Sequence, residues 1–228
     1  MRQLLLDWGV TGPPTLDRFV IGQNQELAVM LRRIAEREAA SLDQRFITLW
    51  GGAGVGKSHL LLALAEGGQA LYLSADQPAE NYVWSPEISL YLLDDCDRID
   101  ANQQIAAFAL YNAVRESGGI LVAATSSPPA QLTLREDLRT RLAWGLVYQV
   151  HGLSDEEKID ALSKSANARG LVLSPGVLPY LLTHFRRDMQ SLSAILDALD
   201  RYSLETQRPI TMPLVRELLQ LANAQLTR

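Results

Sequence analysis

Through the first two thirds of the chain, short apolar runs alternate with longer stretches of mixed character. Phe46–Trp50, Ala70–Ser74, Ile88–Leu93, Ile120–Thr125 and Leu146–Val150 read as buried strands. The segments 24–40, 57–66, 102–117 and 135–142 between them are compatible with helices. A parallel connection needs a long crossover, and the crossover helices cover both faces of the sheet. The pattern therefore predicts an α/β fold with a parallel five-stranded sheet.

After residue 152 the strand signal stops. Ser154 and Glu157 have the spacing of a capping box, in which two side chains satisfy free N–H groups at a helix start. That helix should run to Arg169, with Gly170 as the residue that ends it. Ser174-Pro175 reads as a second helix start, with proline in the first turn. Met189, Leu192, Leu196 and Leu199 make an apolar stripe at helical spacing, with Asp197, Asp200 and Arg201 turned outward. Thr211 can cap a fourth helix carrying Leu214, Leu218 and Leu221. The expected organisation is a tail over 1–12, an α/β domain over 13–152 and a small all-helical domain over 153–228.

Charge and composition remove several function classes. The net charge is -5, and residues 153–228 carry 9 basic and 9 acidic side chains, so bulk electrostatics draw neither part to nucleic acid. Direct sequence-specific DNA binding is not expected. The single cysteine, Cys96, cannot form an internal disulfide, which fits a reducing cytosol. His59, His151 and His184 are scattered without metal-ligand spacing. No apolar run reaches the length of a membrane span, and Leu4-Leu5-Leu6 is cut off by Asp7. A cytoplasmic protein with no membrane partner is expected.

The strongest chemical signal follows the first strand: Gly51, Gly52, Ala53, Gly54, Val55, Gly56, Lys57 and Ser58 match G-x-x-x-x-G-K-[ST] between a strand and a helix. Glycines let backbone N–H groups turn inward around phosphate oxygens, and the helix N-terminus adds its positive end. Lys57 is expected at the β and γ phosphates of ADP or ATP, with Ser58 offering its hydroxyl to Mg²⁺ and His59 following on the helix. The strand Ile88–Leu93 runs into Asp94 and Asp95, and the carboxyl ends of parallel strands border the ligand site. Asp94 is the expected carboxylate of the Mg²⁺ shell and Asp95 a candidate to orient the attacking water. An aspartate is shorter than the glutamate many hydrolases use there, so intrinsic hydrolysis should be weak. Cys96 reads as a small buried residue.

A phosphate loop, the Asp94-Asp95 pair, hydroxyls at Thr125, Ser126 and Ser127, and a helical C-terminal region together resemble the AAA+ family. Thr15-Leu-Asp-Arg-Phe19-Val20-Ile-Gly22 is similar to the segment that packs by the adenine in the DnaA initiator. Arg139-Thr-Arg141-Leu-Ala-Trp-Gly145 is similar to the stretch that carries its arginine finger. The chain from residue 13 onward resembles DnaA-related AAA+ proteins, and within them the regulatory inactivators of DnaA.

The resemblance implies a core followed by a lid, with Phe19 and Val20 near the base. It implies Arg141 as a finger reaching the γ-phosphate of a neighbouring subunit's ATP, with Arg139 as the other candidate. Any of Thr125, Ser126 and Ser127 can serve as the sensor at the strand end. In the lid, Gln190 stands where relatives carry a phosphate-sensing arginine, and Arg187 lies one turn earlier. Gln3, Leu4, Leu6 and Trp8 resemble the peptide that docks replication proteins on the sliding clamp, with an amide at a pocket rim and apolar anchors. Implied partners are DnaA and the sliding clamp, and a homodimer is compatible with the resemblance. The implied function is negative regulation of replication initiation by stimulating hydrolysis of DnaA-bound ATP. The alternatives are a helicase loader and a self-oligomerising AAA+ ATPase.

Overall fold

The computed structural model describes residues 13–38, 41–207 and 209–217. Gln3, Leu4, Leu6, Trp8, Leu218 and Leu221 lie outside the described residues.

Among those described, the chain forms two compact units that meet in sequence at Gly152 and Leu153. The first runs α1 (Gln25–Ala35), β1 (Phe46–Trp50), α2 (Lys57–Ala65), β2 (Ala70–Leu73), β3 (Leu90–Leu93), α3 (Ala101–Ser117), β4 (Ile120–Thr125), α4 (Glu136–Trp144) and β5 (Leu146–Gln149). The five strands are parallel in the order β2-β3-β4-β1-β5. This is the α/β AAA+ architecture expected from the sequence.

Side chains on a strand alternate between faces, and here both faces are apolar. Ile47, Leu49, Leu90, Leu92, Val122 and Ala124 pack with α1 and α2 through Leu31, Ile34, Leu60 and Leu64. Phe46, Tyr91, Leu93, Leu121 and Ala123 pack with α3 and α4 through Tyr111, Val114, Leu138 and Leu142. The one polar side chain on β1, Thr48, is buried and donates to the Leu142 carbonyl at 2.7 Å. Gly145 ends α4 where a Cβ would stand 1.9 Å from the Phe46 carbonyl oxygen, so the turn into β5 tolerates no side chain.

Several element ends differ from expectation, and two of the differences have a visible cause. The first helix ends at Ala35 rather than near residue 40, and Arg37 takes a left-handed φ of 61° just beyond it. The third strand starts at Leu90, because Ile88 closes a turn by donating its N–H to Ser85.

The second unit holds α5 (Asp155–Ala168), α6 (Val177–His184), α7 (Met189–Thr206) and a helical stretch over 212–217 around a core of Leu162, Leu181, Leu192, Leu196, Leu199 and Leu214. The Ser154–Glu157 capping box is present, and Gly170 follows α5 at φ 73°. Two readings are corrected. Ser174-Pro175 does not start a helix: it forms a turn, and α6 begins two residues later after Gly176 at φ 88°. Asp197 does not point outward: it is 7% exposed, and Arg169 reaches it with a hydrogen-bonded ion pair. The stripe on α7 is wider than Met189 and the three leucines, since Ile195 and Ala198 are buried as well.

Candidate nucleotide site

The chain leaves β1 at Gly51 and reaches α2 at Lys57 through the glycine-rich loop. A Cβ at Gly51 would stand 2.6 Å from the Val150 carbonyl oxygen. Gly56 caps α2 at φ 103°, and a Cβ there would meet the Phe19 ring at 2.9 Å. Both positions require glycine, for close approach and for left-handed backbone respectively. Gly52, Ala53 and Gly54 are exposed, while Val55 is half-buried. The loop is thus an open cradle of backbone at the N-terminus of a helix, the chemistry that suits phosphate oxygens.

Lys57 is 9% exposed, and its ammonium donates to the carbonyls of Gly51 at 2.7 Å and Gly52 at 2.9 Å. The loop therefore already positions a buried cation at its mouth. Ser58 follows on the exposed side of the first turn. His59 donates from Nε2 to the Thr15 carbonyl at 3.0 Å, and its ring lies 6.2 Å from that of Phe19. The segment bearing Phe19 and Val20 is held against the loop by these contacts.

Asn24 is a further tie that sequence reasoning missed. It immediately precedes α1, and its side chain makes no cap bond to that helix. It is 3% exposed, donates to the carbonyls of Ile21 at 3.0 Å and His151 at 2.9 Å, and accepts from the His151 N–H at 2.8 Å. The base-side segment is thereby joined to the residues that follow β5.

Asp94 ends β3 with a buried carboxylate, 4% exposed. Its Oδ2 accepts from the Tyr72 hydroxyl at 2.7 Å and its Oδ1 from the Asp95 N–H at 2.9 Å. Burial, with the Asp94 hydrogen bond second, raises the Tyr72 phenol well above its ordinary range. Asp95 sits at a left-handed φ of 50°, and its carboxylate pairs with Arg98 at 3.1 Å. Cys96 is fully buried, and burial pushes its thiol up, which keeps it protonated and unreactive.

β4 lies between β1 and β3, so its end stands between the glycine loop and Asp94. Thr125 is fully buried and donates to the Ser127 carbonyl at 2.8 Å. Ser126 donates from its N–H and its hydroxyl to Asp97 at 2.9 and 2.6 Å. Asp97 thereby clamps the segments that follow β3 and β4 together.

Arg141 lies on the α3–α4 side of the sheet, the face opposite α2. It lies in the last turn of α4, its guanidinium over the rings of Phe108 at 5.7 Å and Tyr111 at 5.9 Å. Tyr111 packs on Phe46, the first residue of β1, with centroids 4.5 Å apart, and Phe46 also meets Trp144 at 5.8 Å. The glycine loop leaves the other end of β1, about 13 Å further along at roughly 3.3 Å per residue. A shallow depression lined by Phe108, Arg135, Glu136, Asp137, Thr140 and Arg141 runs along α4 from its first turn to Arg141. Arg135 is taken up by Asp137 at 2.8 Å, and Arg139 is half-buried.

In the second unit, Arg187 precedes α7 and pairs with Asp155 at 3.6 Å, while Gln190 is exposed in the first turn of α7.

Comparison with known proteins supports this assembly. Residues 155–219 match a family model described as the Hda lid domain, and residues 13–85 match one described as the bacterial DnaA ATPase domain. An uncharacterized protein of Haemophilus influenzae is 36% identical over 233 residues, covering 96% of this chain and 99% of its own. Domain III of Thermotoga maritima DnaA has the same fold, with a TM-score of 0.72 at 18% identity over 93% of this chain and 98% of that one. AMPPCP-bound DnaA from Aquifex aeolicus superposes with a TM-score of 0.67 at 19% identity, over 87% and 71%.

Proposed function

The chain belongs to the Hda-like, DnaA-related AAA+ proteins, and from that premise we propose that it is a nucleotide-bound negative regulator of replication initiation in the bacterial cytoplasm. Gly51 through Ser58 and His59 hold ADP or ATP, with Phe19 and Val20 toward the base. The open cradle of glycine backbone and the buried Lys57 ammonium fit a polyphosphate, whose oxygens would replace the Gly51 and Gly52 carbonyls as the lysine's partners. Ser58 and Asp94 supply the hydroxyl and carboxylate that suit Mg²⁺, a hard cation that takes oxygen donors. When bound, Mg²⁺ would neutralise charge on the phosphates. Asp95 would orient water in this chain's own site. Arg98 holds its carboxylate, which supports weak intrinsic hydrolysis.

The observation that carries the regulatory reading is where Arg141 sits. Its helix packs on the face of the sheet that carries Tyr111 and Phe46, opposite the face that α2 covers. That placement favours a nucleotide on another subunit over this chain's own. We take that subunit to be ATP-bound DnaA. A guanidinium placed at the γ-phosphate stabilises charge developing as water attacks, with ADP and phosphate as products. Gln3, Leu4, Leu6 and Trp8 would tether the chain to the sliding clamp, which brings it to replicating DNA without sequence-specific DNA contacts of its own. A homodimer would be one way to shield Arg141 between encounters.

The test is hydrolysis of ATP preloaded on DnaA in the presence of clamp-loaded DNA. Wild-type chain should accelerate it, and Arg141→Ala should lose about a thousandfold or more of that stimulation, the scale of arginine fingers supplied in trans. Equal stimulation by both proteins refutes the finger. No stimulation by either moves the reading to a helicase loader or a self-assembling ATPase.

A further inference from the structure

We propose that Tyr72 is a positioning residue that aims the Asp94 carboxylate at nucleotide-bound Mg²⁺. The inference deepens the nucleotide reading above and rests on it.

Tyr72 is on the edge strand β2, in register with Leu92 of β3. Residues two apart on a strand share a face, so Asp94 lies one pleat beyond Leu92 on the side that Tyr72 occupies. A tyrosine is long enough to span that offset, and its hydroxyl lands 2.7 Å from Asp94 Oδ2. The backbone fixes the rest: the Asp94 N–H donates to the Leu73 carbonyl at 2.8 Å, and the Asp95 N–H closes on Oδ1 at 2.9 Å. Each carboxylate oxygen thus accepts one protein hydrogen bond and keeps one lone pair. Two donors on two oxygens set the plane of the carboxylate, so its remaining lone pairs face one direction.

Tyr72 itself touches neither phosphate nor metal in this assignment; it acts through Asp94. Its ring belongs to the apolar layer beneath α1 and α2, so it is anchored independently of any ligand. Partners of this outer kind change metal affinity about 10–100-fold when removed.

The test uses the full-length chain, Tyr72→Phe, and equilibrium binding of a fluorescent ATP analogue in Mg²⁺ and in EDTA. Phenylalanine keeps the ring and its packing and deletes only the hydroxyl. The wild-type chain should bind more tightly with Mg²⁺ than with EDTA. Tyr72→Phe should cut that gain about tenfold, with affinity in EDTA changed less than about twofold. In an Asp94→Asn background the same substitution should have no further effect, since residues acting through one another are not additive. An undiminished Mg²⁺ gain in Tyr72→Phe overturns the proposal, as does an equal loss in both conditions, which would mark a packing role alone. Wild-type binding that is indifferent to Mg²⁺ overturns it while leaving the nucleotide reading intact. Wild-type chain that binds no nucleotide in either condition refutes both.

Discussion

Replacing Asn24 with alanine should loosen the α/β unit far more than a substitution at a loop-to-helix junction ordinarily does. The side chain makes three hydrogen bonds of 2.8 to 3.0 Å, two as donor to Ile21 and His151 and one as acceptor from His151. At 3% exposure its partners were withdrawn from water with it. Leaving a buried polar group without its partner costs about 1–3 kcal/mol, and three groups lose theirs here. Water entering the vacated space restores part of that, so a net loss of about 2–4 kcal/mol is expected. With a urea dependence of about 2 kcal/mol per molar, the unfolding midpoint should fall by about 1–2 M. Tryptophan fluorescence is the appropriate probe, because three of the four tryptophans, Trp50, Trp84 and Trp144, lie in the α/β unit, and a Trp8→Phe background makes the signal report that unit alone. The same substitution frees the segment that holds Phe19 from the end of β5, so nucleotide affinity should fall along with stability. A midpoint shift below about 0.3 M would refute the reasoning, since a tie worth so little positions nothing.

Two further substitutions probe the scaffold. Gly145→Ala would put a methyl group 1.9 Å from the Phe46 carbonyl, backbone against backbone, and should lower the melting temperature by roughly 6–12 °C in a thermal scan; no change would mean that the α4–β5 turn relaxes freely. Cys96, whose thiol is pushed up by burial, should react with a thiol reagent only after unfolding. An unfolded thiol ionises near pH 8.5 while the buried one stays protonated, so the unfolded state loses a proton first and stability falls as pH rises past that point. The expected slope is about 1.4 kcal/mol per pH unit, measured by urea titration across pH 8–10, and Cys96→Ala should remove it.

The parts of the molecule that were legible in the sequence are those whose chemistry is local. The glycine loop is read from eight consecutive residues because phosphate binding there is a matter of backbone conformation, and Gly56 takes the left-handed conformation that its position in the motif requires. The central strands β1, β3 and β4 are legible for a similar reason: a strand buried on both faces must be apolar throughout, and only its ends are ambiguous. Ile88 shows that ambiguity, being apolar enough for a strand yet committed to a turn. The misread parts depend on partners far away in the chain. Asp197 looks solvent-facing until Arg169, 28 residues earlier, is brought beside it. Asn24 carries no local signal at all, because its partner His151 comes from 127 residues away. Pro175 fits the first turn of a helix as well as it fits the turn before one, and Gly176 decides the matter by taking a left-handed conformation.

Arg141 combines both cases. Its motif is local and readable, but whether an arginine serves its own chain's nucleotide or another's depends on where the fold carries it. A phosphate loop must follow the carboxyl end of a strand, because only there does the helix N-terminus face the ligand. A helix that returns the chain to the start of the next parallel strand finishes toward the opposite end. α4 is such a helix: it packs on the face of the sheet opposite α2, with the Leu142 carbonyl beside Thr48 midway along β1 and Gly145 against Phe46. Arg141 is half-buried, its guanidinium 5.7 Å from the Phe108 ring and 5.9 Å from that of Tyr111, and among the described residues no carboxylate pairs with it. Burial raises the Tyr111 phenol to about 12, with Arg141 and Arg115 acting in the opposite sense, so that ring stays neutral near pH 7. A cation held on aromatic faces without a carboxylate beside it is suited to an anionic ligand, and the proposed finger role would place that ligand on the next subunit.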